Sequence, residues 1–392
     1  MLASQWTLDP AIDFLNHGSF GACPRAVLEQ QQRWRAQLEQ NPVQFMKRDL
    51  ETLLDTSREQ LAAFLGAEPA SLVFVRNTTT GVNAILRSVE LKPGDELLLT
   101  SHAYNALRNA AEFVAARRGA KVVTAPISLP IESPEQIVES ILSHVSRRTR
   151  LVLLDHVTCL AGFILPVARL VHELDRRGID AVIDGAHAPG MVQLNLTSLD
   201  AAYYVGNCHK WLCAPKGSAF LYVRRDRQAA LRPLVIGSGA NDMRTTRSRL
   251  HLEFDWTGTD DPTPWLTVPA AINHVGALLP GGWPAVMAHN HALAVEAREV
   301  VCRRLGIEPP CREEMMGALA AVLLPNGGHE PQGEPFTHDP LQAVLYDRFK
   351  IEVMVVVWPE PRRRLLRLSA HLYNTPAQYA RLVDALAESY TF

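Results

Sequence analysis

The chain has 392 residues, 47% of them apolar and 20% charged, with a formal net charge of −2. That is ample material for a large core, and a length that suits a large domain plus a smaller one. The near-neutral balance, without a long basic tract, excludes an electrostatic case for nucleic acid, and no run reaches the roughly 18 to 20 uninterrupted apolar residues of a membrane span.

Strand-like apolar runs recur through the first two-thirds of the chain. They are LVFV at 72–75, ELLLT at 96–100, KVVTAPI at 121–127, RLVLLDHV at 150–157, DAVID at 180–184, AAYYVG at 201–206 and SAFLYV at 218–223. Between them, NALRNAAEFVAARRG and EQIVESILSHV place apolar residues at helical spacing. This alternation predicts βαβ units and an α/β fold with a mainly parallel sheet covered on both faces. A Gly/Pro-rich passage, LLPGGWPAV at 278–286, then punctuates the chain. A helical run follows, then short strands within MMGALAAVLLP and VLYDRFKIEVMVVVW, giving a smaller α/β C-terminal domain. The expected division is an N-terminal arm at 1–23, a large domain at 24–277 and a small one at 278–392. The polar segment NGGHEPQGEPFTHDP at 326–340 reads as a loop between the C-terminal strands.

Ligands of such sheets bind beyond the carboxyl ends of the strands, and Thr78, Asp184 and Lys210 fall at or just after such ends. Asp184 closes the run DAVID, and Lys210 follows the next strand-like run in GNCHKWLCAPKG. A lysine amine for an aldehyde and a carboxylate for a pyridinium nitrogen are what pyridoxal 5'-phosphate (PLP) requires. The Thr-rich turn in RNTTTGVNAILRSV, between a strand and a helix, offers Thr78 and Thr79 as phosphate ligands, although threonine is also a common N-cap. The six cysteines, at 23, 159, 208, 213, 302 and 311, show no paired metal spacing, so no metal site is expected. Reduced thiols and a start without a basic, then apolar, leader point to a cytoplasmic protein.

DGAHAPG followed by GNCHKWLCAPKG resembles the active-site signature of the class V aminotransferase family, fold type I of the PLP enzymes. FLNHGSFGACP at 14–24, SHAYNA at 101–106, FDWTGTDDPTPWL at 254–266 and LRLSAHLYNT at 366–375 resemble its isopenicillin N epimerase-like branch. The resemblance implies that Lys210 holds PLP as a Schiff base and then acts as general base at the substrate Cα. It implies that Asp184 keeps the pyridine nitrogen protonated, that His187 contacts the phenolic oxygen, and that His209, with Asn207 less directly, reaches the phosphate. His102 would stack on the ring, with Tyr104 as its fallback or as a second acid/base. Arg367 would bind the substrate carboxylate through its planar fork, and alternation along LLRLSAHL points it inward. Asn16 and His17 would line the substrate pocket. Thr259 would reach the phosphate of a neighbouring subunit, which implies a homodimer; on the residues alone, TGTDD is a polar turn. Related cysteine desulfurases carry an asparagine near the phenolic oxygen, where this chain has Thr158 and Cys159.

Three activities fit these residues: epimerisation at Cα of an amino acid or amino-acid-derived natural product, C–S lyase action on cysteine conjugates, and transamination. Epimerisation is the first expectation and would need a second proton-transfer group opposite Lys210, for which His17, Tyr104 or water are candidates. Cysteine desulfurase chemistry needs a nucleophilic cysteine on a C-terminal loop, and 326–340 has none.

Overall fold

The computed structural model describes residues 2–326, 331–359 and 362–389. Its centre is a seven-stranded sheet in the order Leu72–Val75, Ala219–Val223, Tyr203–Asn207, Asp180–Asp184, Thr149–Asp155, Glu96–Thr100, Lys121–Ala125. Every pairing is parallel except those of Ala219–Val223, which runs antiparallel to both of its neighbours. The strands occur where apolar runs predicted them, because alternate residues feed two separate cores. Leu72, Phe74, Val152, Leu154, Ala181 and Ile183 enter one core, while Val73, Val75, Leu151, Leu153 and Val182 enter the other. A sheet buried on both faces has no polar side, which is why its strands read as near-continuous apolar runs.

The crossover helices place their starts above the carboxyl edge. Thr78–Ser88 begins three residues after its strand, and the Asn77 side chain caps it by accepting the Thr80 N–H at 2.8 Å. Asn105–Arg118 ends at Gly119, whose φ of 65° closes the helix in the left-handed region that glycine tolerates.

A second, antiparallel sheet has the order Met354–Trp358, Arg363–Ser369, Leu319–Leu324. Helices Gly282–Leu305 and Pro376–Ser389 pack together, and the first also packs on this sheet. The Gly/Pro passage at 278–286 holds the start of Gly282–Leu305, with Pro284 in the first turn, where no backbone N–H is needed. One expectation is corrected here. VLYDRF is not strand but part of the helix Leu341–Phe349, which buries Leu341 and Leu345 one turn apart and stops at Lys350 with φ 57°. The segment at 326–340 is tied to the neighbouring strand from Phe336 to Asp339 by backbone bonds with Val355 and Val357; its residues 327–330 lie outside the described residues.

The N-terminal segment is stitched to the far end of the chain. Asp13–Phe14 pairs in parallel with Ile351–Glu352, and Asp13 forms an ion pair with Arg381 at 2.7 Å. Gly21 then lies flat against the backbone of His209 and Lys210, where a Cβ would collide with the His209 carbonyl. Its φ of 70° again suits glycine.

Candidate active site

Asp184 sits at the end of its strand, 5% exposed, with Oδ1 accepting the Ala186 N–H at 2.9 Å. Burial pushes its carboxyl up to about 6, opposed by that N–H and by the charge of Lys210. Beside it, in register on the next strand, stands Asp155. Asp155 is buried, its Oδ2 has no hydrogen-bond partner, and burial together with Asp184 holds its carboxyl well above the usual range. Burial thus pushes both carboxyls of the pair toward the neutral acid, Asp155 with the added repulsion of Asp184. Asp155 was missed from sequence because a strand-terminal Asp is ordinary until its neighbour is known.

Lys210 is 9% exposed, and burial lowers its amine from the usual lysine range. Its Nζ lies 3.0 Å from His187 Nε2, while the Trp211 indole N–H donates to His187 Nδ1 at 3.3 Å. Burial, reinforced by the charges of Lys210 and Arg367, keeps the His187 imidazole neutral. Behind Lys210, His17 is fully buried and uses both ring nitrogens, Nδ1 with the Tyr373 hydroxyl at 2.8 Å and Nε2 with the Lys210 carbonyl at 3.1 Å. His17 therefore supports Lys210 from below instead of lining an opening, and burial lowers its imidazole to about 3. His17, Cys213 and His371 bring ligand atoms within 4.8 Å of one another. The two rings stack at 4.3 Å, and His17 has both nitrogens engaged, so the group reads as packed polar core and not as a metal centre.

At the other end of the same strand edge, Thr78 is buried and its hydroxyl has no partner, while its N–H donates to Asn207 Oδ1 at 2.9 Å. An orphaned hydroxyl in the first turn of an eleven-residue helix fits a phosphate oxygen. Thr79 is half-buried beside it. His209 is half-buried with Nδ1 3.1 Å from the Ser218 carbonyl, and burial lowers its imidazole to about 4. Asn207 thus braces the helix start. Thr259 lies on the exposed surface, next to Asp260, which pairs with Arg76 at the mouth of the same turn.

Arg367 is fully buried, yet its partners are neutral acceptors: the Cys159 carbonyl at 2.6 Å, Asn16 Oδ1 at 2.9 Å and Ser19 Oγ at 2.8 Å. Its Nε has no partner, and no described carboxylate forms an ion pair with it. Asn16 is accordingly a support for the guanidinium, fixed in turn by Glu352 at 3.1 Å. The Cys159 thiol is half-exposed, 3.9 Å from Arg367 Nη1, while Thr158 is fully buried and its hydroxyl accepts the Phe163 N–H, closing a turn. His102 is buried, with Nε2 3.0 Å from the Ile127 carbonyl and its ring against Trp358 and Phe163. Tyr104 is 44% exposed, and its phenol is raised by burial and by the charges of Cys159 and Asp184, which puts it at the site opening. A separate cavity of about 370 Å³, lined by Trp6, Gly21, Cys23, Gln31, Arg35 and Lys216 among others, includes none of Asp184, His187, Lys210 or Arg367.

Lysine amine, strand-end carboxyl, orphaned threonine hydroxyl and phenolic edge together make a donor set that fits PLP. The comparisons agree with that geometry. The chain is 38% identical to an isopenicillin N epimerase of Amycolatopsis lactamdurans, covering 99% of each chain. It is 35% identical to one of Streptomyces clavuligerus over 97% of this chain and 95% of that one. A probable chloroplastic L-cysteine desulfhydrase of Arabidopsis thaliana is 28% identical over 96% of this chain and 83% of its own. Among solved structures, the cysteine desulfurase CsdA of Escherichia coli superposes with a TM-score of 0.78 at 21% identity, over 99% of this chain and 97% of that one, and shares the fold. The family model described as "Aminotransferase class-V" matches residues 19–310, and the chain belongs to that family.

Proposed function

We propose that this protein is a PLP-dependent epimerase acting at Cα of an amino acid or amino-acid-derived peptide. The observation that carries the reading is Arg367, a buried guanidinium furnished only with neutral acceptors. An unpaired buried cation is costly, and a substrate carboxylate supplies the missing partner. The two relatives that are 38% and 35% identical, both named isopenicillin N epimerase, support it.

Bound at this site, PLP supplies the electron sink that makes a substrate Cα hydrogen acidic. Asp184 would hold the proton of the ring nitrogen, with Asp155 beside it pushed toward the neutral acid by burial. Lys210, its amine lowered from the usual lysine range by burial, takes the Cα proton at Nζ. Tyr104, at the opening, returns a proton to the other face; His17 is too buried for that task. Thr78 and Thr79, with His209, hold the phosphate. His102, engaged only at Nε2 and with Nδ1 unpartnered, would stack on the ring, with Tyr104 as the alternative. We further assign the protein to the cytoplasm as a homodimer in which Thr259 reaches the partner's phosphate, with an arm at 1–23 and domains at 24–277 and 278–392.

A C–S lyase is the second reading, favoured by the relatives named L-cysteine desulfhydrase. Incubation in deuterated water with an aminoadipyl peptide and, separately, a cysteine S-conjugate separates them. Epimerisation exchanges the Cα hydrogen and inverts the centre with the skeleton intact. Pyruvate release without inversion moves the assignment to the lyase.

A further inference from the structure

Trp211 follows Lys210 directly, and its indole is buried in the protein interior at 1% exposure. An indole N–H only donates. At 3.3 Å from His187 Nδ1, it requires a lone pair on that nitrogen. A neutral imidazole has one proton, so the proton of His187 is on Nε2, 3.0 Å from Lys210 Nζ. We propose that Trp211 is a positioning residue that fixes the tautomer of His187, making Nε2–H a permanent donor toward Lys210 Nζ.

Geometry keeps that arrangement from relaxing. The Trp211 ring packs against the His17 ring at 4.8 Å and stacks with His371 at 6.1 Å. Gly190 lets the 185–190 turn approach so closely that a Cβ there would strike the Trp211 backbone. The indole therefore cannot swing away, and the imidazole it faces cannot exchange its proton between nitrogens without breaking a buried bond.

The consequence is a bias on protonation at Nζ. A donor aimed at Nζ favours its lone-pair form; an acceptor there would favour an extra proton. With Trp211 intact, His187 can only donate. Without the indole N–H, the proton can move to Nδ1, and Nε2 then accepts from Nζ. This role rests on the assignment of PLP to Lys210 and concerns the basicity of the nitrogen that joins the two.

The test is the pH midpoint of the visible absorbance of the PLP-loaded protein, read in Trp211→Phe, in His187→Phe and in the double variant. Trp211→Phe should raise the midpoint by about one pH unit, the size of one net hydrogen bond. In the His187→Phe background, where the ring has neither donor nor acceptor nitrogen, the same replacement should shift nothing further. An unshifted midpoint in Trp211→Phe, or an equal shift in both backgrounds, overturns the proposal and leaves the PLP assignment standing. If Trp211→Phe does not fold, benzothienylalanine at 211 keeps the bicyclic shape and removes only the N–H, and must give the same rise. A wild-type protein that gains no visible absorbance with PLP sinks the cofactor assignment, and this role with it.

Discussion

Around Lys210 the chain gathers groups that burial drives toward neutrality: the amine itself, the His187 imidazole and the Asp155 carboxyl. Around Arg367 it does the reverse, enclosing a permanent cation and giving it carbonyl, amide and hydroxyl oxygens only. The first region contains bases and acids whose protons can move at modest cost. The second contains a charge that cannot be discharged and therefore selects for an anion. The two regions make opposite uses of the same low-dielectric interior, close enough together that burial is joined by the charge of Arg367 in lowering the Lys210 amine.

Substitutions can break this contrast at its strongest point first. Lys210→Ala should lower turnover by about 10³-fold or more, since it removes the proton-transfer group outright. Steady-state rates check this, and borohydride reduction should no longer fix PLP to the chain. Asp184→Asn should cost roughly 10²-fold in kcat, because an amide cannot hold the ring proton by charge. Asp155→Asn sharpens the point: burial and Asp184 push that carboxyl toward the neutral acid, so a neutral amide there should cost less than about tenfold. Equal losses in the two variants would show that Asp155 is ionised. Arg367→Lys should raise KM by roughly 10- to 100-fold, the worth of a charge-assisted bidentate contact, with the visible absorbance unchanged. A loss confined to kcat would place Arg367 with the proton-transfer groups instead.

The smallest effect is on stability. Burial lowers His17 to about 3 and His102 to about 4, below the ordinary 6.5. The unfolded chain therefore binds more protons than the folded one between those values. Stability from these groups is present above about pH 6.5 and declines as pH falls, by up to about 1.4 kcal/mol per pH unit for each. Denaturant midpoints measured from pH 7 to pH 5 should fall, and His102→Gln should flatten the slope.

Much of the large sheet was legible because strands buried on both faces are written as apolar runs. Asp184 and Lys210 were legible as polar residues placed where such runs stop. The antiparallel insertion of Ala219–Val223 was not, since an apolar run carries no direction. His102 and Tyr104 lie two apart in one turn, and which of them faces the opening depends on Trp358, a residue from the other sheet. Trp211 carries no signal of its own in the sequence; its meaning is a single nitrogen 3.3 Å from a histidine 24 positions earlier. Alternation did not separate Arg367 from its arginine neighbours, because the strand is buried on both faces and Arg364 is buried as well. What distinguishes them is that Arg364 pairs with Asp339 while Arg367 has neutral acceptors, which shows only in three dimensions.

The pairing of Asp13–Phe14 with Ile351–Glu352 bears on the order of events as the chain leaves the ribosome. Asn16 and Ser19 wait for an arginine 351 and 348 positions later. Strands from Leu72 to Val223 can form their sheet long before that arginine is made, but the His17 that supports Lys210 is itself held by Tyr373, near the far end of the chain. The carboxylate half closes only when synthesis is nearly done. A chain that stops short of Arg367 lacks both the guanidinium and the Tyr373 hydroxyl behind His17, so the last stretch to be synthesised completes both halves of the site.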